Sequence, residues 1–282
     1  MEPAEKLIKK AIRHLPLHIH EAISSVSANA SSATASVARP TVFVGMSGGV
    51  DSSVSAYLLK EAGFDVVGVF IKVWQPGDDA EYEGAQNFQA ACTWKDDRRD
   101  AMRVCAHLGI PFQTLDLEDE YKKFVADYMI REYAAGRTPN PDIMCNKHVK
   151  FGGFFAYAME QGADFVATGH YAQTRDSKKS GDQTELIQSA DENKDQTYFL
   201  WAISEKSLPR TIFPVGALQK EEVRVIAEYA QLPVFDKKDS QGVCFIGKLD
   251  MKEFLKEYLK PAPTAGDVLN LKGEIIGRHD GA

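Results

Sequence analysis

The chain has 282 residues, 44% of them apolar, with a formal net charge of -7. That length can bury one large core and a smaller second one, and the negative balance argues against a polybasic, histone-like binder while leaving room for a local positive groove. No window approaches the roughly 20 apolar residues of a membrane-crossing helix, and four cysteines (Cys92, Cys105, Cys145 and Cys244) are too sparse for a disulfide-stapled scaffold. The expectation is a soluble, cytoplasmic protein without membrane partners, in a reducing compartment where a disulfide would be transient chemistry.

In residues 1–39, Leu7, Ile12, Leu15, Leu17, Ile19 and Ile23 fall in loosely helical spacing, followed by "SSVSANASSATASVARP", whose small residues bury little. This reads as an appended helix and a flexible linker. Glu2, Glu5 and Glu21 interrupt any signal-peptide core. From Thr41 the pattern changes. "TVFVGM" is β-rich, "SGG" is a turn, and Val50, Val54, Tyr57 and Leu58 recur at helical spacing until Gly63. A strand-like "DVVGVFIKVW" comes next, then a polar insertion around 75–91, a helix near 96–108 and the short strand "FQTLDL". A helix fits 119–135, "AGRTPNPDIMCN" reads as a loop, a helix covers about 147–161, and "ADFVATGHY" supplies another strand. This alternation predicts an α/β fold with a doubly wound, mainly parallel sheet over residues 40–205, and ligands beyond the strands' carboxyl ends. Residues 206–260, with "PRTIFPVG", a helix near 219–230, "VCFIG" and a helix at 250–259, suggest a smaller α-rich second domain. Residues 261–282 look like a hairpin that begins an incomplete C-terminal β domain, marginally stable alone.

The run from Gly45 through Met46, Ser47, Gly48, Gly49, Val50, Asp51 and Ser52 carries chemistry. A strand, a Ser-Gly-Gly turn and a helix would gather backbone N–H groups and a helix N-terminus at one point, where phosphate oxygens can be held. Ser47 and Ser52 add hydroxyls. Asp51 is sensible beside phosphates if a magnesium ion lies between them. Neither GxxxxGK[ST] nor GxGxxG is present; an ordinary strand-to-helix turn with serine caps is the plainer alternative.

"SGGVDSS" resembles the pyrophosphate loop of the ATP pyrophosphatases, which split ATP between its α and β phosphates and transfer AMP to an acceptor oxygen. "GRTPNPDIMCNKHVKF" (136–151), "ATGHYA" (167–172), "KDQTYFL" (194–200), "FPVG" (213–216) and "KKDSQGVCFIG" (237–247) follow in series. Together, over about residues 41–280, they resemble the tRNA-specific 2-thiouridylase family. The resemblance implies a sheet of the adenine nucleotide α-hydrolase type, ATP with magnesium, and replacement by sulfur of the C2 oxygen of a tRNA wobble uridine. It further implies that Cys145 and Cys244 cooperate, with Cys244 carrying a persulfide received from a sulfur carrier or desulfurase. A reductant would reset the oxidised pair. Direct persulfide attack and prior release of sulfide by Cys145 both stay open.

By the same resemblance, Asp142 orients the base or relays a proton, with capping of a helix beginning near Asn146 as its structural alternative. Asn140, Pro141 and Asp142 together would meet the target base. Lys194, Asp195 and Gln196 would contact tRNA, the alternative being a solvated loop. Adenine would lie on the backbone at Ile71, where many members carry methionine, and Gly169 would permit close backbone approach. His170 hydrogen-bonds in the site or holds the strand end. Cys105 reads as core within "AMRVCAHL", and Cys92 matches a position often held by cysteine. A zinc site from Cys92, Cys105, His107 and His148 lacks the paired CxxC spacing. Family members continue into a C-terminal β-barrel, which implies an intact ATP loop with weakened tRNA handling in this chain. Another adenylating enzyme with the same loop, or a nucleotide-sensing RNA-associated module, would leave Cys145 and Cys244 without roles.

Overall fold

A computed structural model describes residues 2–29, 39–76, 94–177, 183–239, 255, 258–259 and 264–279. Cys92, Cys244 and most of the helix expected at 250–259 lie outside the described residues.

Strand β1 (Thr41–Gly45) stands at the centre of a five-stranded sheet. Its three middle residues, Val42, Phe43 and Val44, are all buried, the pattern of a parallel strand covered on both faces. Because side chains alternate across a strand, Val42 and Val44 join one core with Val54, Leu58 and Ile212. Phe43 points into the other, with Val69, Val125, Cys145 and Phe154. On one side lie β2 (Asp65–Lys72) and then β3 (Phe112–Asp116); on the other lies β4 (Phe165–Ala167). Thr211–Ile212 completes the sheet outside β4, and every pairing is parallel. The doubly wound α/β expectation is therefore met. Winding runs outward from β1 through β2 to β3 and then returns to β4 on β1's other flank, so a crevice opens at the carboxyl ends of β1 and β4.

Three details depart from the sequence reading. Residues 2–29 hold two helices, α1 (Glu2–Arg13) and α2 (Leu17–Asn29), separated at Pro16. They are part of the main core rather than an appendage: Ala4, Ile8, Ala11, Leu15 and Ile19 are buried, and Lys10 pairs with Glu222 at 2.8 Å. Secondly, the Thr211–Ile212 strand lies past the expected boundary at residue 205. Two residues are too few to show a strand period. An antiparallel pair, β5 (Gln173–Asp176) with β6 (Thr184–Ile187), also precedes it, which makes Thr211–Ile212 β7. Thirdly, the segment expected to be a loop through Asn146 is already helical from Pro141.

After α3 (Val50–Ala62) and α4 (Trp94–Leu108), two helical runs hold the site's far wall. Helix α5 covers residues 118–134 and has a π turn at Lys122–Ala126. Helix α6 covers 141–160 and is π-helical over Cys145–Phe154. Gly153 admits Leu117 against the wide turn, since a Cβ there would stand 3.1 Å from a Leu117 methyl. Helix α7 (Lys220–Tyr229) packs on α1 and α3, and β8 (Gly266–Leu269) with β9 (Ile275–His279) forms the antiparallel hairpin expected near the end.

Candidate active site

The Ser-Gly-Gly turn leaves β1 at the switch point and enters α3 directly. Gly48 has φ +75, a left-handed conformation suited to glycine. The Ser47 and Ser52 hydroxyls lie 3.1 Å apart, Ser52 Oγ accepts from Ser47 N at 3.2 Å, and Gly49 N donates to Ser47 Oγ at 3.3 Å. Gly49 is the N-cap of α3 and supplies no side-chain cap, so the first turn keeps donors for an anion. Gly45 and Met46 end the strand, with Met46 N bonded to Val69 O at 2.8 Å; Val50 is buried beneath the turn.

The loop contains no lysine, but distant segments bring two. Lys220, at the start of α7, reaches both oxygens of Asp51 at 2.7 and 2.9 Å, and Tyr171 donates its hydroxyl to the same carboxylate at 2.9 Å. Burial first, then the Asp51 charge, pushes the Tyr171 phenol far up, so it remains a donor. Lys237 donates to Gly48 O at 3.0 Å and to Asp97 and Asp100 at 2.9 and 2.8 Å. Asp239 gathers Lys220, Lys194 and Arg224 at 2.8, 2.9 and 2.7 Å. Burial alone would raise this carboxyl; the hydrogen bonds from Lys220 and Lys194 outweigh it and bring Asp239 down to about 2. Sequence pattern singled out Asp51 and Lys194 but gave no role to Lys220, Lys237, Asp239 or Arg224, whose pairing exists only in three dimensions. The loop's own donors, a helix N-terminus and two serine hydroxyls, fit a polyphosphate, while the cations brought to it are paired with carboxylates.

Gly169 follows β4 and lies against the α3 entrance: a Cβ there would meet Ser52 N at 2.6 Å. Thr168 and His170 are buried on either side of it. Thr168 Oγ1 lies 2.7 Å from His170 Nδ1, and Lys150 Nζ lies 3.3 Å from His170 Nε2. Burial, and then the Lys150 ammonium, push His170 well below its ordinary range, so it is neutral. Ile71, at the carboxyl end of β2, is half-buried and pairs in register with Leu115.

Asn140, Pro141 and Asp142 form the start of α6. Asn140 is its N-cap, accepting from Ile143 N at 3.2 Å, and Pro141 takes the first helical position. The capping role considered for Asp142 thus belongs to Asn140. Asp142 is left half-buried; burial raises its carboxyl above the usual range, and Lys150 partly counters this. Cys145 is buried one turn later, beside Asn146, whose amide donates to Phe199 O at 3.0 Å. That bond ties α6 to the 3-10 turn Thr197–Leu200, which directly follows the Lys194–Gln196 loop. Here Lys194 pairs with Asp239, Asp195 accepts from Ser189 N at 3.0 Å and Thr197 Oγ1 at 2.7 Å, and Gln196 exchanges two bonds with Tyr171. Just beyond, Tyr198 and Trp201 are 66% and 68% exposed. The phosphate loop, Gly169, His170, Lys150 and the Cys145 helix are therefore one connected constellation, with Cys244 outside the described residues. Cys105 is buried against Gly68, and burial pushes its thiol up to about 12; His107 bonds Ala230 O at 2.9 Å.

A parallel sheet with this loop at its switch point places the chain among the α/β proteins of the pyrophosphate-loop type. Residues 40–248 match the family described as the tRNA methyl transferase HUP domain, and the chain belongs to that family. Proteins named tRNA-specific 2-thiouridylase MnmA are similar to it over 240 residues: 51% identical in Listeria monocytogenes, 52% in Halalkalibacterium halodurans and 49% in Bacillus subtilis. Each match covers 85% of this chain and 61% of the relative, so the chain spans about three fifths of the length of these curated relatives.

Proposed function

We propose that this protein performs ATP-dependent 2-thiolation of the wobble uridine of tRNA, by adenylation of the uracil C2 oxygen and sulfur transfer from a cysteine persulfide. The observation that carries the reading is the direct seating of Gly169 on the α3 entrance, with His170 next in sequence held against the helix of Cys145. A phosphate cradle and the helix that carries a thiol are thus joined through His170 and Lys150. The relatives' name supports tRNA thiolation over other adenylations, and Cys145 and Cys244 have roles only in sulfur chemistry.

In this reading the backbone of Gly48 and Gly49, the hydroxyls of Ser47 and Ser52 and the N-terminus of α3 bind the leaving pyrophosphate. Lys220 and Lys237 reach the loop already paired with Asp51, Asp239, Asp97 and Asp100, and would turn to the phosphates by exchanging those partners. Asp51, released by Lys220, would hold the magnesium that accompanies ATP, which shields phosphate charge. The backbone of Ile71 and Gly169 receives the nucleoside end. Asn140, Pro141 and Asp142 face the uracil, with Asp142 handling a proton. Lys194, Asp195 and Gln196 contact the tRNA, and the exposed Tyr198 and Trp201 offer faces on which unpaired bases can stack. Cys244 carries the persulfide and Cys145 resolves it, leaving an oxidised pair for a reductant. A sulfur carrier or desulfurase supplies the sulfur, and the reaction is cytoplasmic. No helix among the described residues is long and apolar enough to cross a membrane.

The test is the bond cut. With ATP labelled separately at the α and γ positions, unmodified tRNA should elicit AMP and pyrophosphate in equal amounts. Release of ADP and inorganic phosphate would refute the proposal.

A further inference from the structure

Tyr171 follows two residues after Gly169 and is buried in the main core. Gln196 clasps its backbone on both sides: Tyr171 N donates to Gln196 Oε1 at 3.0 Å, and Tyr171 O accepts from Gln196 N at 2.9 Å. Its phenol donates to Asp51 Oδ1 at 2.9 Å, on the first turn of α3. With the ring in the core, the backbone clasped and Gly169 seated on Ser52, the phenol is fixed relative to the phosphate loop.

The two oxygens of Asp51 are therefore held differently. Oδ1 accepts from Tyr171 at 2.9 Å and from Lys220 at 2.7 Å, whereas Oδ2 accepts from Lys220 at 2.9 Å. The two donors also differ in freedom. An ammonium on a four-carbon stem can swing to a new partner, and that of Lys220 already has a second one in Asp239 at 2.8 Å. A buried phenol on a clasped backbone cannot follow it. When Lys220 turns to a phosphate, Oδ1 keeps the phenol and Oδ2 becomes the oxygen open to a cation. Among the described residues no three His, Cys, Asp or Glu side chains converge as a metal cage. One presented carboxylate oxygen beside a phosphate cradle nevertheless fits magnesium, which keeps several waters and takes one or two carboxylates together with the phosphates of its substrate.

We propose that Tyr171 is a positioning residue for the metal–phosphate complex: its phenol fixes Oδ1 of Asp51, so that Oδ2 alone is presented to a magnesium ion arriving with pyrophosphate. This rests on the reading of Asp51 as the carboxylate that holds magnesium. The experiment is calorimetric titration of the full chain with pyrophosphate, once with magnesium and once with a chelator, in wild type, Tyr171→Phe and Asp51→Asn. The readout is the gain in affinity that magnesium brings. Tyr171→Phe keeps the ring in the core and removes only the hydroxyl, so it should cut the magnesium gain about tenfold, the scale on which groups that orient a metal ligand act, and leave the affinity measured with chelator unchanged. Asp51→Asn should abolish the gain. A gain lost in Asp51→Asn but kept in Tyr171→Phe would overturn the proposal alone, as would equal losses in Tyr171→Phe with and without magnesium, the mark of a merely structural role. No magnesium gain in the wild type, or a full gain in Asp51→Asn, would overturn the reading of Asp51 and the proposal with it.

Discussion

Replacing Gly169 with alanine tests whether the β4 end and the phosphate loop are one rigid unit. A Cβ at this position would stand 2.6 Å from Ser52 N, 2.8 Å from Asp51 C and 3.0 Å from Ser52 Cα, where ordinary contact begins near 3.4 Å. All three opposing atoms belong to backbone in the first turn of α3, so no flexible side chain can swing away. The methyl must displace β4 or the α3 entrance, a rearrangement that costs about 1–3 kcal/mol in a packed interior. If the α3 entrance moves, the loss falls on phosphate binding and corresponds to an about 5- to 150-fold weaker affinity. If β4 moves, it falls on stability, at roughly 2–4 °C per kcal/mol for a domain of this size. Gly45→Ala is the control, because its Cβ would meet Phe154 and Thr168 only at 3.7 Å, and it should change stability by less than about 0.5 kcal/mol. Calorimetric titration with pyrophosphate and thermal unfolding read the two channels. Unchanged affinity and unchanged Tm in Gly169→Ala would refute the packing argument.

Two other expectations follow from the geometry. Ile19 is fully buried in the main core, so Ile19→Ala should destabilise the protein by about 2–5 kcal/mol in urea unfolding; a loss below about 0.5 kcal/mol would return α2 to the status of an appendage. Asp239 titrates near 2 in the folded protein, below its unfolded value of about 3.9. Its contribution to stability is thus complete above about pH 4 and is lost as pH falls through about 2. Unfolding measured from pH 5 to 2 should show a shallower acid loss in Asp239→Asn, and identical curves would contradict the assigned ion pairs.

The strand, turn and first helix were legible because each element announces itself locally: a β-rich run, three small turn residues, helical apolar spacing and a stop at Gly63. Residues that complete the loop were not. Lys220 lies 169 positions from Asp51, and Lys237 lies 189 from Gly48; no periodicity connects such pairs. The apolar stripe of α1 and α2 was visible, but a stripe does not say which surface it covers, and here α1 covers α3 and α7 while α2 packs beside β5. Likewise "PDIMCN" could be read as a loop because proline and asparagine favour turns, although the same residues start a helix when Asn140 caps it. The π register of Cys145–Phe154 is a matter of hydrogen-bond pairing, which side-chain pattern does not encode.

The most direct measurement is mass spectrometry of the anticodon nucleoside after the purified protein has been incubated with ATP, magnesium, unmodified tRNA and a persulfide donor. Thiolation at C2 should be present in the wild type and absent when either Cys145 or Cys244 is replaced by serine. Undiminished 2-thiouridine in both variants would contradict the account.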